Sequence, residues 1–260
     1  MADTLNEWEI VLAGLVVAFI ILILGKAWYS CPQVSVIYLH GTIGEGQLAF
    51  KSIMKHIDQA FSFNSLQAVV LNINSSGGTP AQCEILTNYL QRKAAEAKVP
   101  IFAFVEDRAT SGGYWLACAA SEIYAAKTSI VGSIGVVTMS FGCAELMKKV
   151  GVEARTFTSG EKKAMLNPFE PVKESDATTI ERNLGEVHQA FIDHVKESRD
   201  LRLQGDESTL FSGEIWTART AIDLGLIDGI DQVEAFIKKK YGANVRVHNF
   251  NDDDPNFFLF

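Results

Sequence analysis

The sequence predicts an α/β fold, and two copies of one local pattern carry that prediction. Ala68–Ile73 and Ile101–Val105 are short, mostly apolar runs, which is typical of strands buried inside a parallel sheet. Each run leads through a loop into a segment with helical character. Strands that alternate with helices in this way indicate an α/β domain.

The other elements are predicted from spacing and from turn residues. Val34–Leu39 is apolar enough for a first strand, and residues 47–61 place apolar side chains at helical intervals. Pro80 is a favourable first residue for a helix that runs to about Ala97. Further strands are predicted at 123–125, 136–139 and 154–158, and further helices at 112–120, 143–150 and 173–198.

An uncharged aliphatic segment lies near the N-terminus, at Ile10–Gly25. With Trp28 and Tyr29 as interfacial anchors it predicts a single-pass transmembrane helix over residues 10–29, within an N-terminal membrane anchor of residues 1–30. A cleaved signal peptide is the alternative, but Lys and Arg are absent before the segment. A buried soluble helix is disfavoured because every face is apolar.

The composition argues against two classes of function, nucleic-acid binding and metal-dependent chemistry. The 260 residues carry a net charge of −8, which argues against nucleic acid as a partner because phosphate binding needs clustered Lys and Arg. The four cysteines lack the spacing of a zinc site, and no metal or cofactor is expected.

A domain of residues 31–250 is predicted, followed by an acidic and then apolar tail of residues 251–260 with no assigned role.

Ser111 is the strongest candidate for chemistry. It stands before Gly112 and Gly113, where a loop turns into a helix whose first N–H groups are free to stabilise an oxyanion. A serine needs a base, and the five histidines lie outside any motif that pairs them with Ser111. Lys163 precedes an apolar run, Ala164–Leu166, that could desolvate its amine and so favour the neutral form.

Five segments form a pattern along the chain: Asn72–Gly78, Thr110–Tyr114, Val131–Val136, Ser159–Lys163 and Ala221–Asp228. In this order they resemble peptidase family S49, the signal peptide peptidase A and SohB group, which has the ClpP/crotonase fold. The resemblance covers residues 33 to 240. One position departs from the family pattern: Ser76 stands where a proline usually precedes the paired glycines.

The resemblance implies a Ser–Lys peptidase with Ser111 as nucleophile and Lys163 as base; Lys162 is the alternative base. It also implies an oxyanion hole made by the N–H groups of Gly78 and Gly112, and a lysine-orienting role for Ser133. Asn72 and Asn74 are expected to brace the glycine loop.

The resemblance further implies apolar or signal-peptide substrates and a ring-shaped homo-oligomer whose sites are shared between neighbours. It also implies a catalytic domain outside the cytoplasm, although Lys26, close to the membrane segment, slightly favours the opposite orientation. Two other functions remain open. A crotonase-type acyl-CoA enzyme is disfavoured by Ser111 and the anchor, and a non-catalytic scaffold for membrane-protein assembly is favoured only by Ser76.

Overall fold

The structure is a computed structural model that describes residue 8, residues 11–20 and residues 31–251. Residues 11–20 are helical and exposed. Within these described residues, every helix is too short or too polar to span a bilayer. Residues 10 and 21–29 of the predicted transmembrane span, and residues 252–260 of the predicted tail, lie outside the described residues.

One eight-stranded sheet organises the described part of the chain, with the path β6-β5-β3-β2-β1-β8 and with β4 and β7 joined to β3. All pairs are parallel except β5 with β6, so the sheet is mixed. The strands are β1 Gln33–Ile43, β2 Leu66–Gly78, β3 Ile101–Thr110, β4 Glu122–Ala125, β5 Ile130–Gly132, β6 Ile215–Thr217, β7 Gly229–Ile230 and β8 Arg246–Phe250.

Eight α-helices surround this sheet in the described residues, together with short 3-10 turns at Gly46–Leu48 and Asp200–Arg202. The helices are α1 Phe50–Ala60, α2 Pro80–Ala97, α3 Gly112–Ala117, α4 Ala144–Lys149, α5 Glu174–Arg199, α6 Glu207–Leu210, α7 Ala218–Asp223 and α8 Val233–Tyr241. The α/β class predicted from the sequence is therefore confirmed.

The two faces of the sheet are buried unequally. Alternate residues of the central strands, such as Leu71 and Ala103, join the large core that α1, α2, α3 and α5 cover. The opposite residues, such as Val70 and Phe102, pack mainly against α8 through Phe236. The helix that follows Ser111 therefore lies within the larger core.

A buried ion pair fixes the C-terminal end of α5. The Arg199 side chain has no exposed surface, and its two terminal nitrogens donate to Asp228 at 2.8 and 3.0 Å. Burial favours the neutral form of the Asp228 carboxyl, but the hydrogen bonds and charge of Arg199 outweigh it and lower the pKa. Tyr114 of α3 donates to the Leu226 carbonyl at 2.6 Å, so the same region also holds the helix after Ser111.

Two of the predicted strands are wrong. Residues 136–139 and 154–158 belong to an irregular, largely exposed segment in which α4 is the one helix. Their apolar residues have no neighbouring strand to pair with, and apolar content alone does not make a strand. The prediction also missed β5, β6, β7 and β8, which are two to five residues long and depend on tertiary partners.

Candidate active site

Ser111 lies at a sharp turn between β3 and α3. Its backbone has φ 52° and ψ −124°, a conformation that is uncommon for a residue other than glycine and costs about 1–3 kcal/mol. The Ser111 N–H donates to the Gly132 carbonyl at 2.8 Å, and the Ser111 carbonyl accepts from the first turn of α3. The turn therefore holds a half-buried serine in one strained orientation.

The paired glycines at the end of β2 lie directly against this serine. A Cβ atom added to Gly77 would lie 3.0 Å from the Ser111 Cβ and 3.1 Å from the Gly112 nitrogen. A Cβ on Gly78 would overlap the Ile43 carbonyl oxygen at 2.1 Å. Gly77 also has φ +120°, so glycine is required at both positions, by space at Gly78 and by space and backbone conformation at Gly77.

Gly112 brings its backbone to the same place from α3. As the first residue of the helix it has an N–H without an intrahelical acceptor. A Cβ on Gly112 would lie 3.1 Å from the Gly78 nitrogen and 2.6 Å from the Cys83 sulfur. Burial raises the pKa of the Cys83 thiol to about 12, so this sulfur is an uncharged packing group. The structure thus brings together Ser111, Gly78 and Gly112, as predicted from the sequence.

The glycine loop is braced by Ser75. The Ser75 hydroxyl donates to the Gly41 carbonyl at 2.6 Å and accepts from the Gly77 N–H at 3.2 Å. The predicted braces have different partners: the Asn72 amide donates to Glu106, and the Asn74 amide donates to Asp107. Because the Gly77 N–H is engaged, Gly78 is the better candidate of the pair for binding a ligand.

Ser133 lies directly after β5, the strand that pairs with the end of β3. Gly132 of β5 pairs with Thr110 of β3, which sets Ser133 one residue beyond the carbonyl that binds the Ser111 N–H. Ser133 also has a positive φ, 52°, and its N–H donates to the Glu214 carbonyl at 2.7 Å. The two serines therefore sit on adjacent turns at one edge of the sheet.

The two candidate bases differ in their contacts. Lys162 donates to Asp176 at 2.7 Å and to Ser175 at 2.9 Å. Lys163 is exposed in a turn, and its amine has no hydrogen bond or ion pair with the described residues, Ser111 and Ser133 included. Within a single chain, therefore, the Lys162 amine is bound by Asp176 and Ser175, whereas the Lys163 amine is free to contact another group.

None of the histidines, all of which lie in the described residues, bonds to Ser111. His188 and His194 bond to the Ile134 and Trp115 carbonyls, and His248 bonds to Gln33. His40 faces Glu106, and His56 has no partner at its buried Nδ1. A serine–histidine pair is therefore not formed in this structure.

The irregular segment that contains Lys163 exposes apolar side chains. Val137, Met139, Phe141 and Phe157 are 75–92% exposed. Isolated exposed apolar residues are ordinary, but this set falls within residues 137–157. We call residues 136–172 the exposed arm.

A comparison with protein families identifies the domain. Residues 93–246, more than half of the chain, match the model of peptidase family S49. The chain belongs to peptidase family S49. The expected family is thereby confirmed, and the matched residues include Ser111, Gly112, Ser133 and Lys163.

Curated relatives of this S49 chain include proteins with very different names. A Brucella melitensis protein named Na(+)/H(+) antiporter NhaA is 44% identical over 221 residues, 83% of this chain and 30% of that protein. The chloroplastic serine protease SPPA of Arabidopsis thaliana is 33% identical over 183 residues, 69% of this chain and 26% of that protein. The chain spans less than a third of these relatives, and we draw no activity from the antiporter name.

Solved structures share the fold. Two mutants of the 1510-N membrane-bound stomatin-specific protease, one of them in complex with a substrate peptide, align with TM-scores of 0.55 at 15% identity. The alignments cover 85% and 88% of this chain and 98% and 94% of those chains. The S49 protease fold predicted from the resemblance is therefore confirmed for the described domain.

Four residues that contact the candidate site or the segments supporting it were not predicted from the sequence. The bracing role of Ser75 had a signal, because a serine hydroxyl often bonds to the backbone two residues further along its own loop. Cys83, His188 and His194 had no local signal, since each reaches the site only through the packing of α2 or α5.

Proposed function

We propose that this chain is a serine endopeptidase with a Ser–Lys dyad. Neutral Lys163 takes the proton of the Ser111 hydroxyl as Oγ attacks the carbonyl carbon of a peptide bond. The carbonyl oxygen becomes an oxyanion and is stabilised by the N–H groups of Gly78 and Gly112. The protonated lysine returns the proton to the leaving amine, and water then hydrolyses the acyl-enzyme by the reverse sequence.

One observation carries the proposal. The nucleophile candidate is held at a strained turn with the Gly77–Gly78 backbone on one side and the Gly112 N–H beside it. A Cβ atom at Gly77, Gly78 or Gly112 would meet neighbouring atoms at 3.0 Å or less, so the backbone at these positions lies close to Ser111 without a side chain in between. This arrangement supports acyl transfer rather than acyl-CoA chemistry, because an oriented serine has no role in the latter.

The choice of Lys163 as base rests on the partners of the neighbouring lysine. The Lys162 amine already donates to Asp176 and Ser175, whereas the Lys163 amine has no partner among the described residues. Ser133, on the turn beside Ser111, is proposed to accept a hydrogen bond from the Lys163 ammonium and so orient it.

The test compares four proteins: the wild type and the Ser111→Ala, Lys163→Ala and Lys162→Ala variants. Peptide hydrolysis and labelling by a fluorophosphonate probe are measured for each. We expect Ser111→Ala and Lys163→Ala to be equally inactive, because the members of a dyad act as a unit. Lys162→Ala should retain most activity, and the opposite order of the two lysine variants would move the base to Lys162.

The active assembly is proposed to be a ring in which Lys163 of one protomer serves Ser111 of its neighbour. The exposed arm supports this, because it carries Lys163 together with apolar side chains such as Phe141 and Phe157 that lack cover in a single chain. Co-assembled Ser111→Ala and Lys163→Ala protomers should then regain activity at roughly a quarter of the sites. A mixture that exchanges subunits and stays inactive would place each dyad within one chain.

The membrane anchor is proposed for residues 10–29, with the catalytic domain outside the cytoplasm and signal peptides or other apolar membrane-proximal peptides as substrates. The support is the uncharged sequence of residues 10–25 and the flanking aromatic residues. Full-length protein should resist alkaline carbonate extraction from membranes. Release of the intact chain by carbonate would contradict the anchor.

A further inference from the structure

Helix α5 contacts both turns of the candidate site through two histidines. His188 and His194 each lie three residues from Phe191, a buried residue of the same helix. Each ring uses its Nε2 atom to bond a main-chain carbonyl of another segment. One of these carbonyls belongs to the Ser111 helix, and the other follows Ser133.

His194 completes the end of the Ser111 helix. In a regular helix the Trp115 carbonyl would accept a hydrogen bond from the Ala119 N–H. Here that N–H bonds to the Leu116 carbonyl instead, so the Trp115 carbonyl has no partner within the helix. His194 Nε2 donates to this carbonyl at 3.0 Å. The imidazole also stacks on the Trp115 indole, with centroids 5.1 Å apart and planes at 23°. The contact is therefore both polar and aromatic.

His188 holds the neighbouring turn. Its Nε2 donates to the carbonyl of Ile134 at 3.1 Å, and Ile134 is completely buried. Two residues earlier, the Gly132 carbonyl receives the Ser111 N–H, and Ser133 between them has a positive φ. A shift of Ile134 would therefore be transmitted to the orientation of Ser133 and to the bond that fixes Ser111.

The carbonyl partners define the tautomer of each ring. A carbonyl can only accept, so Nε2 must carry the proton. Burial lowers the pKa of His194, which keeps that ring neutral near neutral pH. Neither histidine is placed to exchange a proton with the nucleophile, so their contribution is geometric.

We propose that His188 and His194 are positioning residues that hold the Ser133 turn and the Ser111 helix in register through one rigid helix. The inference rests on the proposed Ser–Lys function. Removal of either donor leaves a buried carbonyl without its partner and frees one turn relative to the other. Misplacement of reacting groups by about 1 Å can cost about a hundredfold in rate.

The experiment replaces each histidine with phenylalanine and with glutamine. Phenylalanine keeps an aromatic ring but has no donor, whereas the glutamine amide restores an N–H at the end of a side chain that helices tolerate well. We expect kcat to fall by about ten- to a hundredfold in His188→Phe and His194→Phe with KM changed less than about twofold. The glutamine variants should recover most of the lost kcat.

His248→Phe is the matched control. His248 is also half-buried, stacks on Phe63 at 4.0 Å and uses Nε2 to bond Gln33, but it lies on the edge strand β8 away from Ser111. It should keep wild-type kcat. Thermal unfolding is followed for every variant, and His→Leu replaces any phenylalanine variant that does not fold.

Wild-type kcat in the donor-free variants, or glutamine variants as slow as their phenylalanine counterparts, would overturn the inference. Ser111→Ala is measured in the same series. Activity in Ser111→Ala would overturn the proposed function and this inference with it. An inactive Ser111→Ala beside fully active histidine variants would overturn the positioning role alone.

Discussion

The substitution Gly112→Ala, alone and combined with Cys83→Ala, tests the packing of the site and its chemistry separately. In Gly112→Ala the new Cβ would lie 2.6 Å from the Cys83 sulfur and 3.1 Å from the Gly78 nitrogen. Ordinary carbon contacts begin near about 3.5 Å, so the sulfur contact is the severe one. Cys83→Ala removes that sulfur and leaves the approach to Gly78 unchanged. The two substitutions together therefore test each contact separately.

The magnitudes follow from these distances. Overpacking in a buried site costs about 1–3 kcal/mol, and about 1 kcal/mol shifts the melting temperature by about 2–4 °C in a domain of this size. Gly112→Ala should thus melt about 2–12 °C lower than the wild type. The double variant should be more stable than the sum of the two single effects predicts, by a coupling of about 0.5–3 kcal/mol.

We expect the kcat values of Gly112→Ala, Cys83→Ala and the double variant not to change in parallel with their stabilities. In the double variant the Cβ still lies beside the Gly78 N–H, where the oxyanion is proposed to bind. The loss of one oxyanion donor costs about 10²–10³ in kcat. Gly112→Ala and the double variant should therefore both be about that much slower than Cys83→Ala.

The assays are thermal unfolding by circular dichroism and steady-state peptide hydrolysis of the four proteins in the cycle. Recovery of kcat in the double variant to within about tenfold of Cys83→Ala would remove Gly78 and Gly112 from the oxyanion hole. Additive effects of the two substitutions on the free energy of unfolding would refute the packing argument. These two outcomes are independent, so each conclusion can fail alone.

Three further predictions concern the fold around the site. Arg199→Met should lower the free energy of unfolding by about 3 kcal/mol, because it leaves the Asp228 carboxylate without its main partner; equal stability in denaturant titration would show that the pair is dispensable. Burial lowers the pKa of His194, so the unfolded chain binds that proton more tightly, and stability should fall as the pH drops below about 6.5. The slope should be smaller in His194→Phe, as measured by unfolding at several pH values. Gly77→Ala, at φ +120°, should abolish hydrolysis, and activity near the wild-type level would show that the loop can move aside.

The parts of the fold that were predictable from sequence are those with a local cause. The strands predicted at 68–73 and 101–105 are short, mostly apolar runs, and they lie within β2 and β3. Residues 136–139 and 154–158 contain β-branched and apolar residues that also favour strands, yet both lie in the exposed arm. Their state depends on whether a neighbouring strand is present, and composition within a short window cannot report that.

The candidate site divides in the same way. The positions of Ser111, Gly78 and Gly112 were predictable because each glycine motif follows a strand and precedes a helix, whereas the oxyanion role of the two glycines came only from the family resemblance. Ser133 was predicted only through the family resemblance, but its place is fixed by β5, a three-residue strand that exists through pairing with β3 and β6. The roles proposed for His188 and His194 depend entirely on how α5 packs.

Lys163 is the residue at which local sequence is least informative. The apolar run Ala164–Leu166 was expected to desolvate the amine, but Leu166 is itself 46% exposed and Lys163 lies in an exposed turn. A lysine becomes a useful base only where burial disfavours its charge. If Lys163 is the base, its burial must come from a surface outside its own chain, and the exposed arm that carries it has the apolar side chains to form one. Catalysis and assembly would then be a single event, in which the isolated protomer holds an oriented serine but lacks an active base.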